Sequence, residues 1–229
     1  MIKSLIIQKT TNFVKDKLSK DFSGHDWAHT YRVWQTAISI AKEENADIFI
    51  VELAALLHDV ADWKFHNGDD NVGPSVARQF LTEQSVDSAI INHVCKIIKN
   101  LSFKGQGTQS KMPTLEGKVV QDADRLDAIG AIGIARTFAY GAHKGCEMYN
   151  MEIMPKFYKD FDAYKKNTAP TINHFYEKLL LLKDLMNTPT ASKMAQERHE
   201  FMELFLKTFF KEIREDQSNF LNQPLNRKI

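Results

Sequence analysis

Four side chains, far apart in the chain, have the types that a divalent cation needs: His29, the adjacent pair His58-Asp59, and Asp124. Two imidazoles and two carboxylates suit a borderline ion such as Mn, Fe, Ni, Co or Zn, with remaining positions for water or a phosphate oxygen. His58 and Asp59 follow the apolar run Leu53-Ala54-Ala55-Leu56-Leu57, which places them where a buried helix reaches a cavity. An uncompensated carboxylate there costs free energy, and a bound cation offsets it. Neighbours in mid-helix diverge by about 100°. Both members of the pair can therefore reach one ion only at a bend or at a helix end. Polar decoration and helix capping are the alternative use of the same residues.

Positioning these groups falls to helices. Leu5–Leu18 repeats apolar residues at three- and four-residue spacings, and Asp26–Glu44 carries Val33, Ala37, Ile40 and Ala41 on one side. Asn45–Asp47 reads as a turn before a helix starting near Phe49. Pro74 suits the first turn of the next helix, and Ser85–Phe103 forms another periodic face. Leu115–Tyr140 predicts one helix or two abutting ones, and the glycines of GAIGIARTF allow close backbone packing. Gly105–Pro113 and Gly141–Asn150 read as loops, and Met151–Asn167 as an inserted helix. Thr171–Asn187 and Ser192–Glu215 are expected as the last long helices, with the apolar side of the latter packed on its predecessors and Glu197, Arg198, His199 and Glu200 facing solvent or forming local pairs. The fold class is all-α. The expected organisation is one domain over 1–218, with 145–170 an inserted subsidiary segment and 219–229 a loosely packed tail.

Composition narrows the function. The 229 residues hold 30 Lys and Arg against 29 Asp and Glu, a net charge of +1, so no global field favours polynucleotide binding. Two cysteines cannot build a disulfide scaffold. The start lacks a long apolar h-region, and no apolar run reaches membrane-spanning length. A soluble cytoplasmic protein without membrane contacts is expected. There is no complete P-loop, since EGKVV lacks the glycine spacing and hydroxyl, and no nucleophile elbow.

The pattern H29…H58-D59…D124 resembles the HD-domain metal-dependent phosphohydrolase superfamily. More closely it is similar to the bacterial single-domain subgroup related to nucleotide pyrophosphohydrolases, through GHDWAHTYRV, AALLHDVADWKF, QDADRLDAIGAIGIARTF, HFYEKLLLLKDLMNTPT and AQERHEFMELFL. These stretches leave little unmatched apart from Phe103–Pro113 and Gly145–Pro170. The resemblance implies an HD-domain helical bundle with additional C-terminal helices, and metal-ligand roles for His29, His58, Asp59 and Asp124. It favours Asp124 over Asp122, because Asp124 occupies the aspartate position of the A-D-R-L pattern.

Helpers follow from spacing beside these positions. Asp62, three residues after Asp59, is the candidate to orient or deprotonate water. His25 aligns with His29 across one turn, and Arg32, three residues after His29, can hold phosphate bidentately. Lys64, Asp127 and His143 complete the candidate substrate contacts, each with a surface or structural role as its alternative. The expected cofactor is one divalent transition metal, Mn or Ni foremost, then Fe, Co, Zn or Mg. The expected partner is a small phosphorylated nucleotide, with a homodimer allowed. Cleavage of (deoxy)nucleoside triphosphates to monophosphate and pyrophosphate is the leading reading. A nucleotide phosphomonoesterase and a non-enzymatic nucleotide-binding signalling protein are the alternatives.

Overall fold

The structure, a computed structural model, describes residues 2–19, 26–61, 71–101, 112–156 and 169–218. Among the described residues every regular element is helical: α1 (Ile2–Leu18), α2 (Trp27–Glu44), α3 (Ile48–Leu57), α4 (Val72–Glu83), α5 (Ser88–Leu101), α6 (Leu115–Asp127), α7 (Gly130–His143), α8 (Asn173–Glu177), a 3-10 helix (Leu179–Leu185) and α9 (Pro189–Glu212). The all-α expectation therefore holds.

Helix α3 organises the bundle. Its sequence IFIVELAALL is apolar on nearly every side, and a helix of that kind must be surrounded by others. Val51, Leu53 and Ala54 through Leu57 are fully buried, and α1, α2, α5 and α6 pack around them. Asp47 starts this helix by accepting from the amides of Phe49 and Ile50. Asp26 starts α2 in the same way, accepting from the His29 amide at 2.8 Å. Helix α2 lies against both α3 and α6. That three-way packing brings the carriers of His29, His58 and Asp124 together.

The Leu115–Tyr140 stretch resolves into two helices. The break falls at Gly130, whose φ of +76° suits a residue without a β-carbon. A β-carbon on Gly133 would lie 2.2 Å from the carbonyl oxygen of Ala128. Both glycines thus let α7 fold back close to the end of α6, the close packing expected of GAIGIARTF.

The later segments differ from expectation. Thr171–Asn187 is not one long helix. It splits at Lys178 into the short α8 and the 3-10 helix. The buried residues of the latter, Leu179 and Leu182, are three apart, the repeat of a 3-10 turn, so the tighter helix keeps both in the core. Helix α9 starts at Pro189 rather than Ser192, because Thr188 caps it and proline suits its first position. Met202, Leu206 and Phe210 of α9 are buried as expected, and Phe205 and Phe209 join Phe138 and Phe175 in an aromatic cluster. Arg198 turns inward instead of facing solvent, donating to the Leu126 carbonyl, while His199 is buried yet keeps a local pair, its Nε2 3.3 Å from Glu203 one turn on. Most of the proposed insertion, 157–168, and the tail, 219–229, lie outside the described residues.

Asp122 locks α6 to the start of α9. It is fully buried, and its carboxylate accepts from the amides of Asn187 and Thr188, the Asn187 side chain and the Thr188 hydroxyl at 2.7–3.1 Å. Removing the acceptor strands several buried donors at once. Asp122→Ala is expected to destabilise the fold by roughly 3 kcal/mol or more, read as a lowered urea midpoint, with Asp122→Asn between it and the parent. An unchanged midpoint would contradict this assignment.

Candidate metal centre

Helix α3 ends at Leu57, and His58 is its C-terminal cap. Asp59 follows in the turn. This is the helix end that the adjacent pair requires. The imidazole Nδ1–H of His58 donates to the carbonyl of Ala55 at 2.8 Å, which leaves Nε2 as the free face of the ring. On α2, the Nδ1–H of His29 donates to Asp127 at 2.7 Å, so its Nε2 is likewise turned outward. The two Nε2 atoms lie 3.3 Å apart. An Asp59 carboxylate oxygen is 3.3 Å from one and 3.2 Å from the other. His29, His58 and Asp59 each offer a ligand atom within 4.8 Å of the others. Asp124, from α6, sits 3.5 Å from His29 Nε2 and 3.9 Å from His58 Nε2.

The ring pair is buried at 2% and 4% side-chain exposure, whereas Asp59 and Asp124 are 18% and 39% exposed. The carboxylates therefore form the open side of the cluster. Two imidazoles presenting the same nitrogen, with their other nitrogens tied down, and two carboxylates beside them make a donor set that fits a divalent transition metal.

Without a cation, protons take its place. Burial pulls His58 toward the neutral form, but the charge and hydrogen bond of Asp59, with Asp124 and the Ala55 carbonyl, push its pKa up to about 9. Burial also opposes the charge on His29, and there the hydrogen bonds of Asp127 and Asp59 and the charge of Asp124 outweigh it and raise the pKa.

A second layer lies behind His29. Asp127 is buried, and burial alone would raise its pKa. Hydrogen bonds from His29 and Arg32, with the charges of His29 and Arg136, instead hold the carboxyl well below the usual carboxylate range. Arg32 grips it through Nε at 2.6 Å and a terminal nitrogen at 3.0 Å. Arg136 reaches the same carboxylate from α7. A cleft of about 480 Å³ opens beyond this layer, bordered by Tyr31, Arg32, Gly130, Arg198 and Phe201, and it reaches Asp127 but none of His29, His58, Asp59 or Asp124.

The structure thus brings together His29, His58, Asp59 and Asp124, with Arg32 and Asp127 behind them. Asp122 points away, to the start of α9. His143 is exposed on the last turn of α7, not in a loop. His25, Asp62 and Lys64 lie outside the described residues. His93 stands 3.6 Å from Glu116, and Cys95 is a buried small residue whose thiol pKa burial pushes up. Arg136 was not anticipated. The available signal was a lone cation in the apolar run GAIGIARTF, nine residues after Asp127.

An all-helical bundle with a His/His-Asp/Asp cluster at the end of a buried helix defines a class. The HD domain family matches residues 26–129, which contain all four residues. The chain is 42% identical over 209 residues to the Bacillus subtilis protein YpgQ, covering 90% of this chain and 93% of that one. It is also similar to the crystal structure of an HD-superfamily hydrolase from Bacillus thuringiensis, at 47% identity and a TM-score of 0.75, covering 93% and 100% of the two chains. The structure of B. subtilis YpgQ in complex with ADP matches at 37% identity and a TM-score of 0.73, covering 93% and 97%. The chain belongs to the HD superfamily of hydrolases, and its general chemistry is that of a metal-dependent phosphohydrolase. Among the described residues, no helix is long and apolar enough to cross a membrane.

Because His58 gains its proton on folding, its contribution to stability is present in full below the ordinary histidine pKa of about 6.5 and is lost as pH rises toward 9. The metal-free protein is expected to lose thermal stability across that window, while stabilisation by added Mn grows across it. Calorimetry in buffers of different ionisation enthalpy should detect proton release on Mn binding at pH 7. Binding without proton release would refute the protonated cluster.

Proposed function

We propose that the protein is a nucleotide phosphohydrolase that cleaves (deoxy)nucleoside triphosphates to monophosphate and pyrophosphate, with one divalent transition metal held by His29, His58, Asp59 and Asp124. The observation that carries the metal assignment is the convergence of two Nε2 atoms and an Asp59 oxygen, all within 3.3 Å of one another. Manganese and nickel are the leading candidates, because mixed nitrogen and carboxylate donors suit borderline ions. The nucleotide is supported by a relative: the YpgQ structure of similar fold is a complex with ADP.

When bound, a divalent cation at this position supplies Lewis acidity toward phosphate and a water of lowered pKa. The chain's own residues do the rest. His29 and His58 present Nε2 because Asp127 and the Ala55 carbonyl hold their Nδ1 protons. The carboxylates on the open side leave an approach for the phosphate chain. Asp62, three residues beyond Asp59 in sequence, is assigned to take the proton from the attacking water. Lys64 and His25 are assigned to the phosphate charge. Arg32 has its Nε and one terminal nitrogen committed to Asp127, so any phosphate contact falls to its remaining N–H groups. His143, exposed at the end of α7, is assigned a peripheral substrate contact.

Product analysis on metal-stripped protein, reloaded with each ion separately, tests this reading. Pyrophosphate and nucleoside monophosphate are expected from triphosphates. Inorganic phosphate from monophosphates would instead identify a phosphomonoesterase. Saturable nucleotide binding without turnover in Mn, Ni, Co, Fe, Zn or Mg would identify a nucleotide-binding signalling protein. Asp59→Ala should abolish both metal occupancy and turnover. Asp62→Ala should keep the metal and lower turnover by about 100-fold or more, the range of general-base contributions; parallel loss of both would remove Asp62 from its role.

A further inference from the structure

The metal reading gives Asp127 the Nδ1 proton of His29 to hold but leaves its two arginine partners without a task, and Asp127 is the most heavily bonded carboxylate beside the cluster. One of its oxygens takes three donors: His29 Nδ1–H at 2.7 Å, a terminal nitrogen of Arg32 at 3.0 Å and one of Arg136. The other oxygen takes Arg32 Nε at 2.6 Å. The donors come from two different helices, α2 and α7, and the acceptor from a third, α6. Asp127 is 4% exposed, while the arginine side chains are 33% and 30% exposed, and of the two Arg32 borders the cleft. Such a carboxylate can neither rotate nor change partners without breaking an arginine bond.

We propose that Asp127 and Arg136, with Arg32, are positioning residues that fix the ring orientation and tautomer of His29, so that its Nε2 lone pair always faces the cation. This inference rests on the metal site proposed above and deepens it. Asp127 acts through His29, and Arg136 acts through Asp127 and through its own terminal nitrogen, 3.2 Å from His29 Nδ1; neither is placed on the reacting atoms. Arg136 closes a third side of the carboxylate that Arg32 leaves open. It can do so because α7 turns back at Gly130, so the glycine-rich link is part of the same device.

The geometry makes a pointed distinction between Asp and Asn at position 127. An amide has one acceptor oxygen and an NH2 that only donates. The oxygen that faces His29 is the one that also takes a nitrogen from each guanidinium, so an amide oxygen placed there sets the NH2 against Arg32 Nε. The opposite orientation sets the NH2 against both guanidinium groups and against the His29 Nδ1–H. Asp127→Asn therefore conserves size and shape but loses either the Arg32 clamp or the acceptor that holds the His29 proton on Nδ1, together with the negative charge that favours it.

The test uses Zn as a diamagnetic probe, with affinity from chelator competition, metal-free melting temperature and 15N NMR of the histidine rings. The parent is expected to show one tightly bound Zn and the His29 proton on Nδ1. Asp127→Asn should weaken Zn by about 10- to 100-fold and lower the share of His29 rings that carry the proton on Nδ1, read in the metal-free state above the His58 pKa of about 9 so that the rings are neutral. Arg136→Gln, partly exposed and able to fold if the Asn variant is not, should weaken Zn less, and Arg136→Lys should recover part of that loss. Asp122→Asn serves as the control for a merely structural carboxylate: its melting temperature falls and its Zn affinity stays. Zn affinity in folded Asp127→Asn and Arg136→Gln within twofold of the parent would overturn the inference. Failure of the parent itself to bind Zn, or unchanged binding in His58→Ala, would overturn the metal site instead.

Discussion

Two imidazole nitrogens 3.3 Å apart cannot both present bare lone pairs to each other without something positive between or beside them. In the metal-free state that charge is a proton, sustained by Asp59 and Asp124; in the loaded state it would be the cation. The arrangement is stable only because each ring has its other nitrogen tied down, one by a backbone carbonyl and one by a carboxylate. Most of the surrounding architecture follows from holding those two rings against a cost. Helix α3 must end at Leu57, α2 must lie across it, and α6 must bring two aspartates to opposite sides of His29.

The division of labour among the aspartates of QDADRLD follows from helical geometry. Asp124 and Asp127 are three apart and share a face, so both reach His29, one at Nε2 and one at Nδ1. Asp122 points to a different neighbour and anchors α9. One short segment thus supplies a group on the candidate metal position, a group bonded to the other side of His29 and a group holding the fold. The same chemical type serves three ends because burial and donors differ at each position.

Much of this was legible from residue order, and the reason is locality. The apolar run before His58 signals a buried helix reaching its end. The family pattern singles out Asp124 over Asp122. The parts that were not legible depend on contacts between distant segments. Asp122 meets Thr188 across 66 residues. The Thr171–Asn187 stretch has helical composition, yet the core accepts Leu179 and Leu182 only at a three-residue repeat. Arg198 looks like a surface charge until the Leu126 carbonyl is placed beside it. Arg136 gave only the weak signal of a cation in an apolar run, and its meaning came from Asp127 lying opposite.

Charge placement also separates the cluster from the cleft on the far side of Asp127. The cluster is acidic on its open face and suits a cation; the wall behind it is lined by Arg32 and Arg136 and is closed to one. Asp127 stands between the two fields, and its low pKa is the consequence. Arg136 already lies 3.2 Å from His29 Nδ1, so a neutral residue at position 127 would leave that charge uncompensated beside the ring and oppose a cation at Nε2. The buried carboxylate therefore does more than orient a ring: it offsets the charge of the two guanidinium groups that clamp it beside the candidate metal position. That double duty explains why a carboxylate is buried there at all, when an uncharged hydrogen-bond acceptor would satisfy the imidazole at a smaller desolvation cost.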